Sequence, residues 1–507
     1  MAAVDDGIGS ESFVTKSDRN FSDGSKNIDN NKNYYNECNN SENSVDLNMN
    51  KTHKMSVVQE FYNGKNILIT GATGFLGKIL VEKLLRCCPG VENIYILIRQ
   101  KRGKDIYTRI EEMFEDSVHV IFHSAATVKF DEHLKIALIT NVQAPLYLLQ
   151  MAKDMKGLKA FMHISTLYSN AHLTRIEEKF YPCEMDCKKL QQMIDKLTDE
   201  EINEMLPTIL GKRPNTYTFS KALAEKELRQ NSGSVPLAII RPAIVASTAK
   251  EPIKCWVDNM YGPVGITVGA VTGMLRTMEC DASVTAEIVP VDIVVNCLMV
   301  AAYDVHKEYT NGTLSEPPIF NYVSSVENRI TWGDFIHLAW GDIDKNPFSN
   351  AVWYIYLILT NSAFLNYIYR FFLHLLPAAM VDGLAVCIGK KPKMLKKYRT
   401  IHKFTSVLKH FCTTEIKVCN RRTRELWDKT SDLDKQIFPF SMSDVDWKDY
   451  FDDYLPGIRR YLFKESDDTI PQAKIKWERL YYLHQIVRIG FKVFVIYSLW
   501  SIFTRIF

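Results

Sequence analysis

The chain has 507 residues, 46% of them hydrophobic and 24% charged, enough apolar material for a large core and more than one domain. A formal net charge of only +3 provides no basic field on the scale nucleic acid requires, which argues against nucleic acid as a partner. Eleven cysteines, with no CxxC pair and no metal-ligand spacing, read as reduced thiols on the cytosolic side, so neither disulfides nor a metal is expected.

Residues 1–60, centred on NIDNNKNYYNECNNSENS, are rich in Asn, Asp and Ser and poor in aliphatics. Such a segment cannot bury enough surface to offset the entropy of ordering, so it reads as a disordered leader. It contains no charged stretch followed by an apolar run, which argues against a cleaved secretory signal.

The folded part begins near Gly64. The apolar run Asn66–Thr70 predicts a strand, and Gly71, Gly74 and Gly77 punctuate the turn after it. Phe75–Leu85 has helical periodicity, and Asn93–Arg99 predicts a second strand. Strand, glycine turn, helix, strand is half of a dinucleotide-binding fold. Glycine permits the tight bend and the close approach of backbone to a pyrophosphate, while free N–H groups and the dipole at the helix start attract the anion. A purely structural turn uses the same residues; the flanking strand and helix favour the dinucleotide.

Arg99 ends the second strand, with Lys101 and Arg102 just beyond, where such a fold meets the adenosine ribose. An acidic residue there would favour NAD. The basic cluster favours the 2′-phosphate of NADPH, the alternative being ordinary solvated charges.

Ser117–Phe130 supplies another strand, and its small residues Ser124, Ala125 and Ala126 would let the chain pass beneath the cofactor. Ala160–Asn170 supplies the next, ending in the hydroxyls of Ser165 and Thr166. Asn215–Leu228 predicts a helix in which Tyr217 and Lys221, four residues apart, share a face. A free tyrosine, with a pKa of about 10, is a poor acid or base at neutral pH. An adjacent ammonium stabilises phenolate, so Lys221 is expected to lower the pKa of Tyr217 and make it a usable proton donor. Alone, such a pair is commonly a surface pair. Its position after a glycine turn and a strand ending in hydroxyls points to catalysis.

The fold class is therefore α/β, a Rossmann-like doubly wound parallel sheet, with one departure. Between Arg99 and Val118 there is room for one helix, DIYTRIEEMFED, where the fold needs helix, strand and second helix; a full βαβ unit takes about 30 or more residues. The sheet is expected to lack one strand–helix unit after the second strand. That would leave this strand an edge and the cofactor short of contacts at its adenosine end.

Further on, residues 346–369 carry no charge, a stretch long enough to cross a bilayer of about 30 Å. Their Pro, Asn and Ser favour a buried or interfacial helix instead. The basic stretch Lys390–Lys403 suits anionic headgroups, a CoA phosphate, or simply solvent. His484, Arg488 and Lys492 form a polar stripe before the apolar Val493–Thr504. With Lys492 snorkelling, Ile489–Phe507 is just long enough to insert; tail anchor, in-plane helix and helix packed on the protein's own core all remain open.

Taken together, the chain resembles the fatty acyl-CoA reductases, a family of extended short-chain dehydrogenase/reductases. The resemblance rests on TGATGFLGK, VIFHSAATVKFDE, HISTLYSN, PNTYTFSKALAE, IIRPAIV, EPIKCWVDNMYGPVGI and IVPVDIVVN, which span Gly64 to about Ala302. GKKPKMLKKYR and DVDWKDYFDDYLPGIRRYL resemble the helical C-terminal domain of that family, which other extended reductases lack. The resemblance implies a NADPH-binding reductase domain over 61–345, a helical C-terminal domain over 346–470 and a membrane-associating tail over 471–507. It implies cofactor contacts from Thr70, Gly71, Thr73, Gly74, Phe75, Leu76 and Gly77. The implied reaction is reduction of a long-chain acyl-CoA by NADPH, through an aldehyde, to a primary alcohol with release of CoA. Tyr217 and either Thr166 or Ser165 would hold the developing oxyanion, Thr166 being preferred, while Lys221 tunes Tyr217 and grips the nicotinamide ribose. The enzyme would be membrane-associated with its catalytic domain facing the cytosol, on the endoplasmic reticulum or the peroxisome. Two other readings are an extended reductase of nucleotide-sugars or sterols, and a family member impaired in cofactor binding.

Overall fold

The computed structural model describes residues 54–98 and 117–506. Six strands, β1 (Asn66–Thr70), β2 (Asn93–Leu97), β3 (Val120–His123), β4 (Ala160–Ile164), β5 (Leu237–Pro242) and β6 (Ile319–Tyr322), form one parallel sheet in the order β6-β5-β4-β3-β1-β2. β1, β3, β4, β5 and β6 are buried at every position, which explains why they are predominantly apolar rather than alternating: both faces of the sheet are covered. The side chains alternate between two cores. Ile67, Ile69, Val120, Phe122 and Met162 face one; Leu68, Ile121, Phe161 and Leu237 face the other.

The helices that matter for the site are α1 (Val57–Tyr62), α2 (Phe75–Cys87), α3 (Thr216–Asn231) and α4 (Val291–Thr310). Ile79, Leu80 and Leu84 of α2 and the apolar side chains of α4 fill the first core, while Leu228 of α3 fills the second. The chain leaves β1 for β2 on one side and returns to β3 on the other. Ligands of open α/β sheets bind at the carboxyl ends of the strands where the order switches in this way. β2 is half-buried along its length and, among the described residues, is the sheet edge. The expected helix between β2 and β3, together with Arg99, Lys101 and Arg102, lies outside the described residues.

The C-terminal half contributes α5 (Ala363–Cys387, with a π-helical turn at Phe371–Leu375), α6 (Met394–Thr413) and α7 (Ile470–Ile506). Phe438, Phe440, Met442 and Tyr450 enter the same hydrophobic cluster as Ile240 and Tyr322 of the sheet. Hydrogen bonds from Tyr322 Oη to the Phe440 carbonyl (2.5 Å) and from Asn296 Nδ2 to the Pro439 carbonyl (2.8 Å) fix the two halves together.

Residues 346–369 are not the single helix expected of them. A short strand, Ile358–Thr360, pairs with Thr277–Glu279, and helix begins only at Ala363. Pro347 and the hydrogen-bonding side chains of the segment favour turns, and Ser362 supplies the helix cap by accepting from the Leu365 amide. The apolar helix lies further on, in α5. α7 is one continuous helix of 37 residues. Its first turns dock through Trp477, whose Nε1 donates to Asp344 at 2.8 Å, and through His484, which meets Trp353; from about 486 onward it is almost wholly exposed.

Candidate active site

The glycine turn closes around its own backbone. Gly71 adopts φ +75°, and a Cβ built there would sit 2.6 Å from the Ala125 amide nitrogen and 2.8 Å from the Ser124 carbonyl carbon. At Gly77 a Cβ would lie 2.2 Å from the Gly71 carbonyl oxygen. Both positions therefore exclude any side chain, Gly71 because the end of β3 passes against it and Gly77 because α2 packs on the turn. The Thr70 hydroxyl accepts from the Ala125 amide (3.2 Å), which ties the ends of β1 and β3 together. Gly74 caps α2 without any side-chain hydrogen bond, and Thr73 and Gly74 are exposed. The first amides of α2 thus point out with no side-chain acceptor, the arrangement an anionic diphosphate requires. Ser124, Ala125 and Ala126 line the adjacent edge, half-buried. Phe75 stacks on Trp256 (centroids 5.5 Å apart, planes 17° apart), and Lys78 pairs with Asp258 at 2.7 Å, so residues 256–258 flank the turn. These residues fit a dinucleotide.

α3 places the second half of the site over the ends of β3 and β4. Asn215 caps it, accepting from the Thr218 amide, and the Thr216 hydroxyl donates to the carbonyls of Phe130 and Glu132 (3.0 and 2.9 Å). At the second residue of α3, Tyr217 stands partly exposed with its ring edge-on to Phe130 (5.6 Å). Lys221 is 3% exposed, and its Nζ donates to the Ile164 carbonyl at the end of β4 (2.7 Å).

The structure corrects the electrostatic expectation for this pair. Lys221 does not pull the phenol down; burial pushes Tyr217 up to about 12, and the Thr166 hydroxyl facing it acts in the opposite direction. Burial also lowers Lys221 to about 8, against a smaller upward pull from Glu225. A proton donor need only be protonated, so the raised phenol can still serve an alkoxide, a far stronger base.

The two candidate hydroxyls part company. Thr166 faces Tyr217, whereas Ser165 donates to Glu225 Oε1 at 2.5 Å. Glu225, one turn beyond Lys221, is buried in a two-point ion pair with Arg241 of β5 (3.0 and 2.6 Å) and also accepts from Ser169 (3.1 Å). Arg241 in turn donates to the carbonyls of Glu177 and Lys179. This network locks α3 to β4 and β5, and hence Thr166 to Tyr217.

Several of these residues escaped sequence reasoning. Glu225 and Arg241 had one signal, the charged residues inside otherwise apolar or helical motifs. Asn141 lies in a π-helical turn, accepts from the Thr127 amide and donates to Ser220 on α3 (both 2.9 Å); nothing in its spacing marked it. His123 and His163, cross-strand partners on β3 and β4, stack beneath Lys221 with centroids 5.2 Å apart. Burial, reinforced by the nearby Lys221 ammonium, lowers His123 to about 3 and His163 well below its usual value, so both are neutral.

A parallel sheet with a glycine cradle at its switch point and a Tyr-Lys helix over its next strands defines a nicotinamide-dependent reductase of the short-chain type. Two family models described as "Male sterility protein" match the chain, one of an NAD-binding domain over 69–119 and 112–298 and one over 373–465. The chain belongs to the fatty acyl-CoA reductase family. It is 36% identical to fatty acyl-CoA reductase wat of Drosophila melanogaster over 88% of this chain and 93% of that one. It is 35% identical to fatty acyl-CoA reductase 2 of Mus musculus (85% and 91%) and 32% identical to fatty acyl-CoA reductase 1 of Homo sapiens (89% and 94%). Among solved structures, the terminal R domain of the myxalamid pathway aligns at 17% identity with a TM-score of 0.47, covering 80% of this chain and 93% of that one.

Proposed function

We propose that this protein reduces long-chain acyl-CoA with NADPH, through the aldehyde, to a primary alcohol. The observation that carries the reading is the convergence of Tyr217, Thr166 and Lys221 at the strand ends beside the glycine cradle. The cradle would hold a reduced nicotinamide, whose chemistry would be hydride supply, one equivalent for the thioester carbonyl carbon and, in a second round, one for the aldehyde.

In the first round the C–S bond breaks, CoA leaves as the thiol and one proton is taken up. In the second the aldehyde oxygen takes up the other proton and becomes the hydroxyl. Tyr217 Oη and Thr166 Oγ1 donate to the carbonyl oxygen as negative charge develops, and Tyr217 passes its proton to the alkoxide. Lys221 holds the ribose and returns the proton to Tyr217. Ser165 positions β4 through Glu225. Thr70, Gly71, Thr73, Gly74, Phe75, Leu76 and Gly77, with Ser124, Ala125 and Ala126, would form the cofactor's binding edge, and Arg99, which lies outside the described residues, would serve the 2′-phosphate. The relatives named as fatty acyl-CoA reductases support the substrate class.

The protein works at a membrane, its reductase half in the cytosol, on the endoplasmic reticulum or the peroxisome; two helices long and apolar enough to cross a bilayer support this, as does a water-insoluble acyl chain. The test is membranes containing the protein supplied with palmitoyl-CoA and either NADPH or NADH. Fatty alcohol with NADPH is expected; none with either cofactor refutes the reading.

A second reading, a member weakened in cofactor binding, is favoured by the short connection from Leu97 to Val120, where the nucleotide-binding family match also breaks into two pieces. An NADPH titration separates the two: affinity as tight as that of a relative with a longer connection removes it.

A further inference from the structure

α5 and α6 form a helical hairpin that, like the α7 tail, exposes large apolar side chains. Along α5, Phe364, Tyr367, Phe371, Leu376, Met380 and Leu384 are 43–72% exposed. They recur at intervals of three to five residues, and the five-residue step falls in the π-helical turn, which keeps them on one stripe. Ile388, 66% exposed, continues the stripe to the hairpin tip. The polar residues of the same helix point the other way. Asp382 is buried and accepts from the amides of Lys393, Met394 and Leu395 (2.8, 2.8 and 2.9 Å), closing the tip onto the start of α6. His374, also buried, accepts from the Arg276 amide and bonds His402 of α6 (both 2.9 Å).

An exposed apolar stripe of this size on a soluble protein marks a surface meant to be covered. Its rim carries the charge that selects the cover. Lys390, Lys391, Lys393, Lys396, Lys397 and Arg399 are exposed at or just past the tip, and none forms an ion pair among the described residues. An apolar tip with a cationic collar complements a bilayer with anionic headgroups. The exposed tail leaves the body nearby: Trp353 Nε1, ten residues before α5, donates to His484 of α7 at 3.0 Å. At its other end α6 delivers Phe411 onto Tyr168 (4.7 Å) and Phe130 (5.7 Å), the ring that flanks Tyr217.

We infer that the α5–α6 hairpin is a second membrane-inserting element, independent of the tail, which seats the reductase on an anionic bilayer through its apolar stripe and lysine collar. The inference deepens the membrane reading above and rests on it.

The test is flotation of the full chain with vesicles of phosphatidylcholine containing roughly one-third phosphatidylserine. In one variant Ile489→Glu, Val493→Glu and Ile496→Glu disable the tail; all three residues are exposed. This variant is expected still to float, and adding Leu384→Glu and Ile388→Glu should weaken vesicle partitioning by at least about 100-fold. A tail variant that stays in the aqueous phase, or hairpin substitutions without effect, would overturn the proposal while leaving a tail-anchored enzyme intact. An unmodified chain that fails to float would defeat the membrane reading itself. Replacing Lys390, Lys391 and Lys393 with Gln in the tail variant touches no apolar contact. It should cost about 100-fold on the anionic vesicles and little on pure phosphatidylcholine; equal binding to both before substitution also overturns the proposal.

Discussion

The Nζ of Lys221 donates to the Ile164 carbonyl at 2.7 Å, so the lysine is pinned to the end of β4, one helical turn along α3 from Tyr217. Its proton is the more labile of the two, because burial brings it to about 8 while Tyr217 goes up to about 12.

The pH dependence follows with a definite sign. The folded pKa of Lys221 lies below its unfolded value near 10.5, so the charged form is disfavoured in the native state. Stability attributable to this group is therefore lowest below pH 8 and rises between about 8 and 10.5 as the unfolded chain binds the extra proton. Lys221→Met should stabilise the protein by on the order of 2–3 kcal/mol at neutral pH and progressively less toward pH 10.5, read by denaturant unfolding. Activity moves oppositely: the rate should fall as pH rises through about 8, and Lys221→Arg, which keeps its charge, should flatten that limb at a lower overall rate.

Gly71→Ala and Gly77→Ala test the cradle. Each adds a methyl where backbone atoms already stand within 2.6 and 2.2 Å, and at Gly71 the φ of +75° adds strain. Each should cost about 2–4 kcal/mol of stability and weaken NADPH binding at least about tenfold, measured by thermal unfolding and cofactor fluorescence titration.

Ser165→Ala and Thr166→Ala should separate positioning from chemistry. Thr166→Ala removes the hydroxyl that faces Tyr217 and should lower kcat by about 100-fold with little change in stability. Ser165→Ala should lower kcat less than tenfold, because its hydroxyl serves Glu225. Glu225→Ala strands Arg241, which is fully buried, and should destabilise the fold by about 3–5 kcal/mol in denaturant unfolding.

Where the sequence is legible, one physical rule acts alone. The strand Asn66–Thr70 is legible to the residue because both faces of β1 are covered, so its three central positions are all aliphatic; the turn is legible because only glycine survives the approach of Ala125. Periodicity found α3, but it could not show that Lys221 turns to a backbone carbonyl, which depends on a strand 57 residues away. Long-range partners were likewise invisible: Glu225 meets Arg241, and His123 meets His163, only after β3, β4 and β5 are assembled. The absence of charge over 346–369 suggested a helix, yet the local cap at Ser362 and the pairing of Ile358–Thr360 with Thr277–Glu279 decide the structure there.

The central claim is that the Tyr217 phenol donates the proton that completes each reduction. The most direct measurement is the single-turnover conversion of palmitoyl-CoA by Tyr217→Phe with saturating NADPH, alongside a cofactor titration of the same variant. The account predicts alcohol formation reduced by at least about 100-fold with NADPH affinity within about threefold of the parent. Turnover near the parent rate would contradict it.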